Sequence, residues 1–289
     1  MSDSRVQPRR SLIFAPGDRP ELYPKAVATG ADIVCVDLED AVAPKNKAAA
    51  RADTMALFAK PQPDDGIERV VRINCLRSAD GLRDVIAILE TDTPPPGLAM
   101  TKVKSADEVR QIAELLGEGP HAAIRLHVIV ETNEALEAAH EIAHASPRID
   151  SLLFGAVDLA AELRTVVSWE TLLYARSRLV NAAAGARLDL MDVPHLDLKD
   201  PEGLVRDAKL AATLGFTGKA AIHPTQVAAI NRTFSPDRTE VDYARRVIDA
   251  FDSADGKLVV VDGKLIEPPV LRSMYRTVAI SERIGMSGD

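Results

Sequence analysis

Residues 124–131 read Ile-Arg-Leu-His-Val-Ile-Val-Glu. The run is apolar and β-branched, it does not alternate in polarity, and it ends in a carboxylate. Such a run predicts a strand buried on both faces. A carboxylate inside that strand would be costly, but the strand's C-terminal end opens into a loop, where it can meet water or a partner. A helical pattern follows at once over 132–145. The next strand, expected over 151–154, repeats the arrangement: Gly155, Ala156 and Val157 lead to Asp158, and helix resumes. Two successive strands thus bring Glu131 and Asp158 to one edge of a sheet. Two carboxylates on one edge suit a hard divalent cation held by oxygens, best matched by Mg²⁺ with several waters kept.

Outward from this stretch the same alternation continues. Strands are predicted at 11–15, 32–37, 69–73, 98–103, 124–130, 151–154, 188–193 and 217–222. Helices are predicted at 20–29, 45–59, 79–90, 105–116, 132–145, 168–185, 201–214 and 224–233. Eight βα units favour a closed (β/α)₈ barrel of the α/β class over an open doubly wound sheet. Ser105 with Glu108 has the spacing of a capping box, Asp200-Pro201 an N-cap followed by proline, and Gly215 the place of a C-cap. Residues 1–10 read as a disordered lead-in and 11–234 as the catalytic barrel. Residues 235–289 read as a C-terminal extension: a helix at 237–253, a hairpin at 258–266 turning on Asp262-Gly263, and a last helix behind Pro268-Pro269 to 284. The barrel does not need this extension for closure, which leaves it to cover the barrel mouth or reach a neighbouring subunit.

Of the 289 residues, 46 % are hydrophobic and only 4 % aromatic, so a large core is available and must be built of Ala, Val, Leu and Ile. A net charge of −8 argues against nonspecific nucleic-acid binding. Cys35 and Cys75 lie in apolar or strand-like runs and read as free thiols of a reducing cytoplasm. No apolar stretch is long enough for a membrane span, and residues 1–10 lack the apolar segment of a signal peptide. A cytoplasmic protein is expected.

Barrel enzymes build their sites from the C-terminal ends of the strands. Here those ends carry Asp37, Glu39 and Asp40; then Arg72; Lys102; Glu131; Asp158; Met191-Asp192; and His223-Pro224. Each has an ordinary alternative as a cap, a solvated charge or a structural ion pair, but their convergence on one rim favours a site. Asp37, Glu39 and Asp40 crowd together and need a counter-charge. Arg72 on the neighbouring strand is the natural one, and its planar fork also suits a substrate carboxylate. His223 reads as a residue that orients its loop, and His127, inside a strand, as packed core.

These residues resemble the citrate lyase β-subunit-like family, related to the HpcH/HpaI aldolases and including malyl-CoA and citramalyl-CoA lyases. The resemblance spans about residues 10–284. It rests on Arg10-Ser-Leu-Ile-Phe-Ala-Pro-Gly, Val36-Asp-Leu-Glu-Asp-Ala-Val, Val71-Arg-Ile-Asn, Val130-Glu-Thr, Phe154-Gly-Ala-Val-Asp-Leu and Gly215-Phe-Thr-Gly-Lys-Ala-Ala-Ile-His-Pro-Thr-Gln. It implies a TIM barrel, a homo-oligomer (trimer or hexamer), Mg²⁺ as cofactor, and Glu131 and Asp158 as its ligands. It further implies that Arg72 binds the keto-acid part of the substrate, and that Lys25, with Arg19 nearby, meets CoA phosphates. Phe14, Met191 and Asp192 would line the CoA site. Where relatives carry a catalytic aspartate that enters a neighbouring subunit's site, this chain has Glu267, in Leu265-Ile-Glu-Pro-Pro. Arg164 stands where a glycine is common. Arg72, Glu267 and Asp37 are thus the catalytic candidates. The implied reaction is cleavage of a 3-hydroxy-carboxyacyl-CoA to acetyl-CoA and a 2-keto acid. Three other readings use the same residues: a thioesterase, an aldolase on a free carboxylic acid, and a non-catalytic subunit of a larger lyase.

Overall fold

The computed structural model describes residues 7–254 and 259–286. They form two compact units, one of Arg9–Arg232 and one that takes in the chain from Thr233 onward. In the first, strands β1 (Ser11–Pro16), β2 (Ile33–Asp37), β3 (Glu68–Ile73), β4 (Gly97–Met100), β5 (Arg125–Val130), β6 (Ile149–Phe154), β7 (Asp189–Asp192) and β8 (Gly218–Ala221) pair in chain order. All pairings are parallel, and β8 returns to β1, so the barrel closes as expected. The helices are α1 (Tyr23–Val27), α2 (Lys47–Phe58), α3 (Ala79–Leu89), α4 (Ala106–Leu116), α5 (Asn133–Glu137), α6 (Ala139–Ala143), α7 (Ala156–Glu162), α8 (Leu173–Ala186), α9 (Pro201–Leu214) and α10 (Pro224–Phe234). A buried cluster that includes Leu12, Ile33, Val70, Ala99, Ile129, Leu153, Met191 and Ala220 gathers side chains from all eight strands. Apart from Met191 and Cys35 these are the small and branched side chains that the low aromatic content requires.

Local differences from the sequence reading have identifiable causes. The helix expected over 132–145 is two short helices, because Ala138 leaves helical geometry at φ −90°, ψ 13°. Arg178 on α8 takes up the carbonyls freed there, donating to the oxygens of Leu136 (2.7 Å) and Glu137. Ser105 caps α4 by position only and makes no side-chain cap bond; the Glu108 carboxylate is drawn to Arg77 instead. Asp158 lies in the first turn of α7 rather than in a loop. Arg164, just beyond that helix, has φ 56°, a conformation that favours glycine. Asp200 caps α9 through Gly203 N–H at 2.8 Å, and Gly215 ends it with φ 117°. His223 accepts from the Thr225 N–H (3.3 Å) and bonds its hydroxyl (2.8 Å), orienting the turn into α10.

At the other end of the barrel, Arg9 is built into the fold. Its guanidinium reaches Glu68 on β3 (2.6 Å), Asp150 on β6 (2.8 Å) and Asp189 on β7 (2.9 Å). His127 is fully buried beside this network, 2.8 Å from Ser151 Oγ and 3.2 Å from Glu68. Cys35 is buried and Cys75 half-buried, both as free thiols.

The second unit holds α11 (Arg238–Ser253), a hairpin of β9 (Val259–Val261) and β10 (Lys264–Ile266), and α12 (Pro268–Arg283). Asp237 and Glu240 form a capping box at the start of α11. Asp262 (φ 50°) and Gly263 (φ 75°) make the expected two-residue turn, both in the left-handed region that such hairpins require. Val247, Val261 and Ile266 form its small core, with Tyr243, Leu271 and Met274 packed against them. Leu258, expected within the hairpin, lies outside the described residues. Among the described residues no helix is long and apolar enough to cross a membrane.

Candidate active site

The β2 end is organised by Asp37, which is fully buried. Asp37 and Arg72 are register partners on β2 and β3, so their side chains leave the sheet side by side. Arg72 donates in bidentate fashion, from Nε to Oδ1 (2.7 Å) and from Nη2 to Oδ2 (2.5 Å). The same two oxygens accept the backbone N–H groups of Glu39 (2.8 Å) and Ala41 (3.1 Å). The guanidinium lies over the Phe14 ring at 4.7 Å, with Nη1 3.3 Å from Glu39 Oε2. Burial works against its charge, but the Asp37 hydrogen bonds and the charges of Asp37 and Glu39 outweigh it and hold Arg72 firmly protonated.

Lys102, expected at the fourth strand's end, stands just beyond β4 and is a second counter-charge. Its Nζ lies 2.6 Å from Glu39 Oε1 and 3.5 Å from Asp40. Its backbone has φ 50°, unusual for a lysine. Its N–H donates to Glu131 Oε1 at 2.7 Å, and its carbonyl accepts from Arg77. No sequence signal marks a left-handed lysine, so the contact of its backbone with Glu131 was not legible.

Glu131 is 4 % exposed. Burial pushes its carboxyl up to about 8; the Lys102 N–H pulls the other way, and the charges of Glu39 and Asp158 add to the rise. Gly155 makes room for it: a Cβ there would sit 2.3 Å from Glu131 Cβ and 2.6 Å from Oε2. Among the described residues no donor reaches Glu131 Oε2, and Asp158 makes no hydrogen bond or ion pair. Two neighbouring carboxylates, one of them desolvated, therefore have no close ion pair, although the charge of Arg72 reaches Glu131 and that of Lys102 reaches Asp158. Among the described residues no three His, Cys, Asp or Glu side chains form a ready metal cage. A donor set of two carboxylates, completed by water or substrate, fits Mg²⁺.

Phe14, Asp37, Arg72, Glu131, Asp158 and Asp192 share the lining of one cavity of about 480 Å³, within the usual range for small-molecule sites. On its far wall, Asp192 is held by Arg176 Nε (3.2 Å) and Lys219 Nζ (2.6 Å), all three buried. The Arg176 guanidinium lies over the rings of Phe154 (5.0 Å) and Trp169 (4.7 Å). Its signal in the sequence was an arginine on the buried face of α8, beside Ala175 and Leu179. Met191 does not line the cavity; it packs in the barrel interior. Arg19 and Lys25 are exposed, outside the lining, and make no ion pair among the described residues. Glu267 belongs to the second unit, at the N-cap of α12.

A closed parallel barrel with an acidic, arginine-bearing cavity at the C-terminal ends of its strands is the working face of a TIM-barrel enzyme. The chain belongs to the HpcH/HpaI aldolase/citrate lyase family, whose model matches residues 10–224. It is 32 % identical to citrate lyase subunit beta of Escherichia coli (strain K12), over 99 % of this chain and 97 % of that protein. It is also 32 % identical to an L-malyl-CoA/beta-methylmalyl-CoA lyase of Cereibacter sphaeroides, over 96 % of both chains. A crystal structure of the CitE protein of Mycobacterium tuberculosis, in complex with magnesium, acetoacetate and coenzyme A, superposes with a TM-score of 0.76 at 31 % identity, covering 96 % of this chain and 98 % of that one. These relatives are lyases or lyase subunits, and the chain is an enzyme of their family.

Proposed function

We propose that this protein is a Mg²⁺-dependent carbon–carbon lyase that cleaves a 3-hydroxy-carboxyacyl-CoA of the malyl-CoA or citramalyl-CoA type. Its products would be acetyl-CoA and glyoxylate or pyruvate. The observation that carries this reading is the pair Glu131 and Asp158, without an ion pair of their own, lining one cavity with the Arg72 guanidinium. The similarity to a malyl-CoA lyase and to a magnesium- and CoA-bound structure supports it.

In the reaction the bond between the hydroxyl-bearing carbon and the thioester α-carbon breaks. The hydroxyl oxygen gives up its proton and becomes the keto oxygen. The bond pair passes to the thioester carbonyl as an enolate, and the α-carbon takes a proton to become a methyl group. Mg²⁺ held by Glu131 and Asp158 would supply Lewis-acid stabilisation of negative charge on the keto-acid oxygens. Arg72, fixed by Asp37, binds and orients the keto-acid carboxylate. Glu267 of a neighbouring subunit in a trimer or hexamer delivers the proton. It keeps the charge of the relatives' aspartate and adds one methylene. The cavity takes the acyl end and Phe14 packs beside it, while Lys25 and Arg19 meet CoA phosphates outside.

The similarity to citrate lyase subunit beta favours a second reading, in which the chain works as one subunit of a larger lyase. Purified protein with Mg²⁺ and malyl-CoA or citramalyl-CoA, assayed separately for keto acid and free thiol, tests the proposal. Keto acid without free thiol is expected. Free thiol without keto acid means thioester hydrolysis, and no product from either substrate favours the subunit reading.

A further inference from the structure

Five carboxylates gather around two cations at this rim, and the cations sort them. Asp37 is committed to Arg72. Glu39 has one oxygen on the Lys102 ammonium at 2.6 Å; its other oxygen is buried, without a hydrogen bond, 3.3 Å from Arg72. Glu131 has one oxygen on the Lys102 backbone N–H, and its charge interacts with that of Glu39. Lys102 thus holds Glu39 with its side chain and Glu131 with its main chain. It does so in a left-handed conformation that a lysine keeps only under constraint. Its N–H, carbonyl and ammonium are all engaged, the carbonyl by Arg77.

Resting on the reading of Glu131 and Asp158 as metal ligands, we propose that Lys102 sets which cation the site prefers. By holding Glu39 back it limits the site to two carboxylates. Mg²⁺ is small, gives up its waters reluctantly, and is content with one or two carboxylates. Ca²⁺ takes six to eight oxygens, and its affinity climbs with the number of charged ligands. Glu39 already has a desolvated oxygen without a hydrogen bond, 3.3 Å from Arg72, and its charge is near enough to act on Glu131. Without the ammonium it turns to the cation as a third carboxylate, and the larger ion gains.

The test is calorimetric titration of the full-length protein with MgCl₂ and with CaCl₂, which reads binding and not turnover. Wild type is compared with Lys102→Met, Lys102→Gly and the double variant Lys102→Met/Glu39→Gln, each checked for fold by circular dichroism. Glycine adopts φ 50° freely, so Lys102→Gly removes the ammonium without straining the backbone. The ratio of Ca²⁺ to Mg²⁺ affinity is expected to rise about tenfold or more in both single Lys102 variants. It should fall back toward wild type in the double variant. An unchanged ratio in both single variants, a rise that survives Glu39→Gln, or loss of both cations from folded Lys102→Gly overturns the proposal. Glu131→Gln separates it from the reading beneath it. If Glu131→Gln binds Mg²⁺ as wild type does, the ligand assignment fails and the proposal with it. If Glu131→Gln loses Mg²⁺ while the Lys102 variants keep the wild-type ratio, only the proposal fails.

Discussion

Asp37 receives four hydrogen bonds: two from Arg72 and two from the backbone N–H groups of Glu39 and Ala41. A carboxylate so occupied does not exchange protons with a substrate. Among the catalytic candidates it is therefore the residue that positions Arg72, holding the guanidinium over Phe14. Asp37→Asn keeps the size but turns an N–H toward the guanidinium. We expect kcat/KM to fall by about a hundredfold, the order that small misplacement of a catalytic group costs. Mg²⁺ affinity should stay at the wild-type value by calorimetry, because Asp37 touches neither Glu131 nor Asp158. The partnership of Asp37 and Arg72 was legible in the sequence, since both end adjacent strands. That of Lys102 with Glu39 and Glu131 was not. It depends on a backbone rotation at one residue, and the residue type gives no sign of that rotation.

At the scale of the element, the strands were readable because burial on both faces demands unbroken apolar runs, and all eight lie where those runs do. The helices were less so. The break at Ala138 is stabilised by Arg178, a residue forty positions away in sequence on another helix, and no local pattern announces it. Gly155 shows how an element boundary shapes the site. It joins β6 to α7 where Glu131 presses against the backbone, and a methyl group would collide with that side chain at 2.3 and 2.6 Å. Gly155→Ala should cost about 1–3 kcal/mol in urea unfolding, the usual penalty for overpacking. It should also weaken Mg²⁺ binding in calorimetry, because the carboxylate must move to relieve the clash. Full stability with full metal affinity would show that the backbone, not Glu131, gives way.

For the whole molecule, the barrel is tied at the end opposite the cavity by Arg9, whose three carboxylate partners stand on β3, β6 and β7. Arg9→Met leaves buried carboxylates without their cation and should destabilise the protein by about 3–5 kcal/mol. The acid limb of stability carries the same signature. Burial alone would raise the Glu68 carboxyl, but His127 and Arg9 hold it well below the ordinary range. Such a group contributes its full stabilisation above its unfolded value of about 4.3, and that contribution is lost progressively as pH falls from there through the much lower folded value. The wild-type urea midpoint should therefore begin to drop below about pH 5 and keep dropping below about pH 3, less steeply in Arg9→Met. The proposed sharing of sites between subunits is tested at this scale too. Mixing inactive Glu267→Gln with inactive Glu131→Gln protein should restore part of the activity once subunits exchange. Exchange without recovery would place Glu267 in its own chain's site or outside the chemistry.

The stack of Trp169 on Arg176 has a practical consequence. The chain contains a single tryptophan. It sits half-buried against a guanidinium whose other partner, Asp192, lines the cavity. All indole emission thus comes from one place, two contacts from the substrate. A ligand that draws on Asp192 should loosen the stack and change the indole emission. Occupancy of the cavity is then readable by fluorescence in unlabelled protein, and Trp169→Phe should silence the signal while leaving binding measurable by heat.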